Sequence, residues 1–286
     1  MSNVLSGICW KGQSARWEEL LPVASTAVIT PMKGGLEAEV YRITLPEAEL
    51  VLKIWNRESR PDISMQYRML EQLHLRGLAV SQPWGWGVDE LNHKVLLTSF
   101  DGVPVATVDS SFLLEMADIL LDIHKLPAGV CSVMNVPVYD FTDYFFFEIA
   151  GHPEIRMLAR ELADQAGVTR QHLIHADYHP GNILEAEGKY TVIDWTNVQL
   201  GDPRYDIAWS IILIRIYISG RYADGYQRRF LEQSGYTPAE LELFEALACL
   251  RWLQLHRSTG IPVERNTIRN VRSIIGRNAF LPEGLL

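Results

Sequence analysis

The chain has 286 residues, 48% of them apolar, with 26 basic against 35 acidic side chains and a formal charge of −9. Such a composition is not that of a disordered chain; it supports one large core or two lobes sharing a cleft. The negative balance argues against a general nucleic-acid binder, which needs clustered positive charge.

The acidity sits in the middle third. Residues 101–197 carry 5 basic and 15 acidic side chains, against 10 and 11 before them and 11 and 9 after. Such a stretch can bind metal, attract a cationic substrate, or form a solvated face. Cys9, Cys131 and Cys249 are too widely spaced for a disulfide framework or a zinc cluster and fit a reducing cytoplasm. No basic start followed by an apolar stretch and a small-residue cleavage site opens the chain. The most apolar run, residues 207–220, is short and carries Arg215. A membrane span needs about 20 apolar residues, so the run reads as a buried helix, and neither membrane nor nucleic acid is expected as a partner.

Residues 27–55 alternate as an antiparallel meander, broken at Gly34-Gly35 and turning at Pro46. Residues 61–76 have helical spacing, with Met65, Met69, Leu70 and Leu73 apolar and Gly77 as the stop. Strands over 84–87 and 94–100 complete the sheet, and Asp101-Gly102 ends it in a turn. A helix over 111–124 starts on a serine cap, and another covers 153–167. The aromatic run 139–147, with Asp140, Asp143 and Glu148 interleaved or adjacent, suits either helix-packing core or an acceptor pocket with acidic rims. Two short strands follow, at 182–184 and 189–193, turning at Gly188, and beyond Asp206 the chain is almost wholly helical to about Gly276.

Phosphoryl transfer needs a carboxylate to position the acceptor hydroxyl, metal ligands on the phosphates and a cation beside them. The chain has these in a workable order. Asp177 is the candidate base, and Asn182, five residues on, can reach a magnesium ion from the same loop. Asp194, in Val-Ile-Asp-Trp, ends an apolar strand where a carboxylate can bridge metal and phosphates. His175 and His179 have the spacing of a helical zinc pair, but Pro180-Gly181 makes a loop and no glutamate lies between them.

The run His175-Ala-Asp177-Tyr-His179-Pro-Gly-Asn182, then Ile193-Asp194-Trp195, then Gly201-Asp202-Pro203-Arg-Tyr-Asp206 resembles the aminoglycoside phosphotransferase and choline kinase group, relatives of the protein kinases. The resemblance runs from the meander to Asp206, roughly two-thirds of the chain, and then fades. It implies a protein-kinase-like α+β fold of two lobes. The N-terminal lobe, residues 1–100, has an antiparallel sheet and binds nucleotide. A hinge lies near 97–102, and residues 101–286 form a mainly helical lobe with the catalytic loop and acceptor site.

The resemblance also implies roles for individual residues. Asp177 is the base, Asn182 and Asp194 are Mg²⁺ ligands, and His175 supports the loop. His179 stands where many protein kinases have lysine, which points to a small acceptor. Asp202 and Asp206 cap the following helix and brace the loop. Lys53 is similar to the strand lysine on the α and β phosphates, and Gly34 and Gly35 to the turn covering them, although two glycines also suit a plain hairpin. In Val95-Leu-Leu-Thr98-Ser-Phe100, backbone groups of Thr98 and Phe100 would bond adenine while Leu97 borders it. One residue departs from the family: the glutamate that normally pairs with the lysine is Gln66, which can accept a hydrogen bond but carries no charge.

The expected activity is transfer of the γ-phosphoryl group of ATP or GTP to a hydroxyl of a small molecule. The acceptor is either an antibiotic such as an aminoglycoside or a metabolite such as choline, ethanolamine, homoserine or a sugar, the middle-third acidity leaning towards an amine. Gln66 leaves open a nucleotide-binding protein without transferase activity. A protein kinase is disfavoured because no Asp-Phe-Gly or Ala-Pro-Glu segment follows Asp194.

Overall fold

The computed structural model describes residues 4–34, 38–56, 61–147 and 152–286. The chain begins with β1 (Cys9–Gln13), α1 (Ala15–Leu20), β2 (Val28–Met32), β3 (Glu39–Leu45) and β4 (Ala48–Trp55). Next come α2 (Ile63–Leu75), β5 (Pro83–Val88), β6 (Lys94–Ser99) and β7 (Val103–Pro104). Helices α3 (Ser110–His124), α4 (Ala128–Met134), α5 (Phe141–Phe145) and α6 (Pro153–Ala166) lead to β8 (His172–Ile174), β9 (Ile183–Ala186), β10 (Lys189–Val192) and β11 (Gln199–Gly201). The rest is helical: α7 (Pro203–Tyr217), α8 (Gly220–Ser234), α9 (Pro238–Ser258) and α10 (Thr267–Ile275).

Two compact units result. The first comprises 1–104 and 183–196, and the second 105–182 and 197–286. The expected division at 100/101 therefore falls slightly later. The β9–β10 hairpin, which chain order assigned to the helical lobe, belongs with the first unit because β9 pairs with β7.

In the first unit an antiparallel six-stranded sheet runs β1-β5-β6-β4-β3-β2. Strand alternation explains its core: Leu50, Leu52 and Ile54 of β4 face inward with Ile43, Val95 and Leu97, and Trp17 closes the cluster from α1. Strand β1, which sequence patterning does not reveal, adds the edge beside β5 through a register shift between Trp10 and Gly12. Helix α2 starts on the Asp62 side chain, which accepts from the Met65 N–H, and buries Met69, Leu70 and Leu73. After β6 the chain turns at Gly102, whose φ of 101° is open to glycine. A Cβ there would also overlap the Glu185 carbonyl of β9.

The second unit is a helical body in which α7 packs on α8 and α9, α6 on α9, and α3 on α8. Helix α3 starts not on a serine but on Asp109, whose carboxylate accepts from the Phe112 N–H. The first part of the run 207–220 is interior, with Ile207, Ile211, Ile212 and Ile214 of α7 fully buried, but the helix ends at Tyr217, and Ile218 and Gly220 are exposed. Among the described residues no helix is long and apolar enough to cross a membrane. Part of the aromatic run is core, with Phe141 and Phe145 packed on Tyr205 and Phe146 on Phe141, while Tyr139 and Phe147 at its ends are exposed.

One polar group in this core has a pH signature. Glu245 of α9 accepts from the Gln227 side chain, with Arg215 at 4.0 Å. Burial, opposed by Arg215 and reinforced by Glu242 and Asp224, pushes its carboxyl up to about 7. Between the ordinary glutamate range and pH 7 the unfolded chain releases this proton while the fold retains it, so Glu245 costs stability as pH rises through that window. Glu245→Gln should therefore raise the unfolding free energy at pH 8 by roughly 2 kcal/mol relative to the parent and change it little at pH 4.5. Urea titrations of both proteins at the two pH values measure the difference, and an equal effect at both would contradict it.

Candidate active site

The catalytic-loop candidates are assembled by one buried carboxylate. Asp206, fully buried in the first turns of α7, accepts from the His175 N–H through Oδ2 and from the Ala176 N–H through Oδ1, each at 2.7 Å. His124 of α3 approaches Oδ2 with Nε2 at 3.2 Å; since a carboxylate only accepts, the imidazole proton lies on that nitrogen. The bond compensates Ala176, whose φ of 65° is a left-handed conformation costing an alanine about 1 kcal/mol or more. Tyr178, completely buried, adds a second anchor by donating to the Met116 carbonyl of α3 at 2.7 Å.

Within this loop the polar groups are mutually oriented. The buried His175 accepts from the Asp177 N–H through Nδ1 at 3.3 Å. His179 accepts from the Gly181 N–H through Nδ1 at 3.0 Å, so its Nε2, 3.8 Å from Asp177 Oδ2, carries the proton of the neutral ring. Asn182 donates its Nδ2 to the Asp177 carbonyl at 2.9 Å, which leaves its side-chain oxygen as the end available to a cation. The Asp177 side chain is about one-third exposed, and its Oδ1 accepts from the Trp209 Nε1–H at 2.9 Å. Asp202 caps α7 by accepting from the Arg204 N–H, takes that residue's guanidinium on both oxygens, and accepts from the Thr169 N–H.

Two participants were not legible in the motif. Trp209 lies three residues beyond Asp206, so the helical period alone would have placed it on the same face of α7. Arg251 of α9 had no sequence signal. It is buried beneath the loop, donates to the Ala176 carbonyl at 2.8 Å and to Tyr205 Oη at 3.2 Å, and lies 4.4 Å from the Trp209 ring. Burial works against its charge, but the Tyr205 phenol and the Asp177 carboxylate outweigh it and hold the guanidinium above its ordinary pKa. Burial likewise pushes the Tyr205 phenol up to about 12, so it stays neutral while its oxygen accepts from Arg251.

The remaining candidates lie in the first unit. Asp194 has a φ of 66°, is exposed, and accepts from Thr196 Oγ1 at 2.8 Å, next to the buried Trp195. Asn182 and Asp194 offer hard oxygens, the donor chemistry that Mg²⁺ prefers. Lys53 sits mid-strand on β4, opposite Val40 and Leu96. Gln66 is buried on α2, and among the described residues no hydrogen bond joins the two. Leu97 is fully buried, whereas Thr98 and Phe100 are half-buried. The Phe100 N–H already donates to the Glu49 carbonyl at 3.0 Å, and its ring carries the Arg42 guanidinium at 4.0 Å, so only its carbonyl is left for an adenine. Gly34 precedes β3, with the Ala38 carbonyl 2.7 Å from where a Cβ would stand; Gly35 lies outside the described residues.

Asp206→Ala would strand two buried amide groups and release a left-handed residue. It should lower the unfolding free energy by about 3–5 kcal/mol. Asp224→Ala, which removes only a partner of Arg215 on an exposed side chain, should stay within about 1 kcal/mol. Equal losses in denaturant titrations of the two variants would show that the clamp has no special role.

Residues 28–244 match the model of the phosphotransferase enzyme family. No curated protein matches the chain. Among solved structures, a thermostable mutant of aminoglycoside phosphotransferase APH(4)-Ia in ternary complex with AMP-PNP and hygromycin B is similar at 17% identity and a TM-score of 0.65, over 92% of this chain and 96% of that one. Amicoumacin kinase hAmiN in complex with AMP-PNP, Ca²⁺ and Ami is similar at 15% identity and 0.64, over 94% and 96%. Spectinomycin phosphotransferase APH(9)-Ia in complex with ADP and spectinomycin is similar at 12% and 0.57, over 90% and 93%. At such identities the likeness establishes a shared fold, that of kinases acting on small molecules.

Proposed function

The chain belongs to the phosphotransferase enzyme family, and on that premise we propose that it transfers the γ-phosphoryl group of ATP or GTP to a hydroxyl of a small acceptor. The observation that carries this reading is the state of Asp177: a carboxylate on a clamped loop, held at Oδ1 by Trp209 and partly open to solvent. A carboxylate so held can accept the proton of an acceptor hydroxyl as the bond to phosphorus forms. His175, Asp206 and Trp209 act as positioning residues, and His179 presents its Nε2 proton towards Asp177.

Asn182 and Asp194 are the proposed Mg²⁺ ligands, and Lys53 the cation for the α and β phosphates. A magnesium ion bound there would neutralise the charge on the transferring group. Gly34, Gly35, Leu97, Thr98 and Phe100 are the proposed nucleotide contacts, in the last case through the carbonyl. The similar structures hold antibiotics, which supports an antibiotic acceptor and hence a resistance role; a metabolite with a comparable hydroxyl is the alternative. Cys131 and Cys249 are buried free thiols, which fits the cytoplasm.

A second reading, nucleotide binding without transfer, draws on Gln66: a buried amide in place of a charge, with no bond to Lys53. ADP release with Mg-ATP and a panel of hydroxylated acceptors separates the two. Acceptor-stimulated ADP supports transfer, while nucleotide binding with no stimulation by any acceptor supports the second. Asp177→Asn should reduce kcat by about 10²- to 10⁴-fold with nucleotide affinity unchanged. Turnover near the parent rate in that variant would remove Asp177 from its role.

A further inference from the structure

Resting on the phosphotransferase reading, we infer that the acceptor is an alcohol on an apolar, aromatic or polycyclic body with at most one cationic amine, rather than a polycationic sugar. A cavity of about 470 Å³ in the helical unit starts at Asp177, a volume in the range of sites for drug-sized ligands. Trp209 and Leu213 of α7, Leu255 of α9 and Ile261 of the segment beyond it form its wall. Among the described residues two carboxylates line it, Asp177 and Glu264.

The charge count decides the class. With Asp177 committed to the reacting hydroxyl, Glu264 at the exposed rim is, among the described residues, the one carboxylate of the cavity left for an ammonium group. A ligand with several ammonium groups would place the others uncompensated against the aliphatic surface of Leu213, Leu255 and Ile261, which is unfavourable. A ring system would gain from burying apolar area against Leu213, Leu255 and Ile261. The far wall is held in place: Tyr217 donates its hydroxyl to the Pro262 carbonyl at 2.9 Å while accepting from the Trp252 Nε1–H at 3.0 Å.

The acidic stretch that suggested amine recognition does not change this count. Asp118 pairs with Arg229 and Asp122 with Lys125. Asp140 caps α5 and pairs with Arg170, Asp143 pairs with Arg156, and Glu154 pairs with Arg257. Those charges are compensated within the helical unit, and among the described residues no acidic side chain of 101–164 lines the cavity.

Calorimetric titration of the full chain, saturated with a non-hydrolysable ATP analogue and Mg²⁺, tests the inference with four probes. Cortisol is a neutral polycyclic alcohol, propranolol a naphthyl alcohol with one amine, and kanamycin A and hygromycin B are polyamines. Cortisol or propranolol should bind at least tenfold more tightly than either aminoglycoside. Ile261→Asp, which puts a carboxylate into the apolar wall, should weaken the favoured probe about tenfold or more. Glu264→Gln should weaken propranolol and leave cortisol unchanged. Tighter aminoglycoside binding, or no binding of either apolar alcohol at millimolar concentration, overturns the inference, as does insensitivity of the favoured probe to Ile261→Asp. Because binding is read without turnover, the predicted selectivity with no ADP release from any acceptor would instead sink the phosphotransferase reading.

Discussion

The two hydrogen bonds from the His175 and Ala176 amides to the Asp206 carboxylate are what the rest of the candidate site depends on. An alanine with φ of 65° does not hold that conformation unaided, and the N–H groups of His175 and of Ala176 itself belong to fully buried residues, where an unpaired amide is costly. One charged acceptor satisfies both and thereby fixes the direction in which the chain leaves β8. Every residue from Asp177 to Asn182 inherits its position from that exit, first through the Tyr178 anchor on α3 and then through the bond from Asn182 back to the Asp177 carbonyl.

Helix α7 turns this local clamp into an organised site because its residues recur at the helical period. Asp202 caps it, Asp206 holds the loop, Trp209 holds the Asp177 carboxylate, Leu213 continues the cavity wall and Tyr217 pins the Pro262 carbonyl. Steps of three and four residues keep these side chains on one face. A single rigid element therefore sets the base, the wall and the far edge of the cavity together, and a rotation of α7 would disturb all of them at once.

Arg251 supplies the other half of the arrangement. A buried guanidinium without a carboxylate in hydrogen-bonding contact is ordinarily unfavourable, yet here the Ala176 carbonyl and the Tyr205 hydroxyl accept from it and the Phe145, Tyr205 and Trp209 rings face it. Asp206 thus binds the donors of the strained loop while Arg251 binds the carbonyl of its central residue. With a negative group on one side and a positive group on the other, Ala176 is fixed at both ends of its peptide unit.

Residues that act through their neighbours in sequence could be read in advance; those that act through packing could not. The meander, α2 and the loop from His175 to Asn182 are local patterns in which periodicity or fixed spacing carries the information, and Asp202 and Asp206 follow at motif distance. Trp209 was within reach of the same logic, since it follows Asp206 by one helical step. Arg251 and Glu264 lie 74 and 87 residues beyond Asp177 in sequence, and only the packing of α9 and the segment after it brings them to the loop and the cavity. The acidity of the middle third counts more charge than the fold leaves to a ligand, for the complementary reason. Composition counts Asp140 and Asp143 as available charge, but one caps a helix and both meet arginines. What a carboxylate can do for a ligand is decided by whether the fold has already given it a partner, and only tertiary structure reveals that.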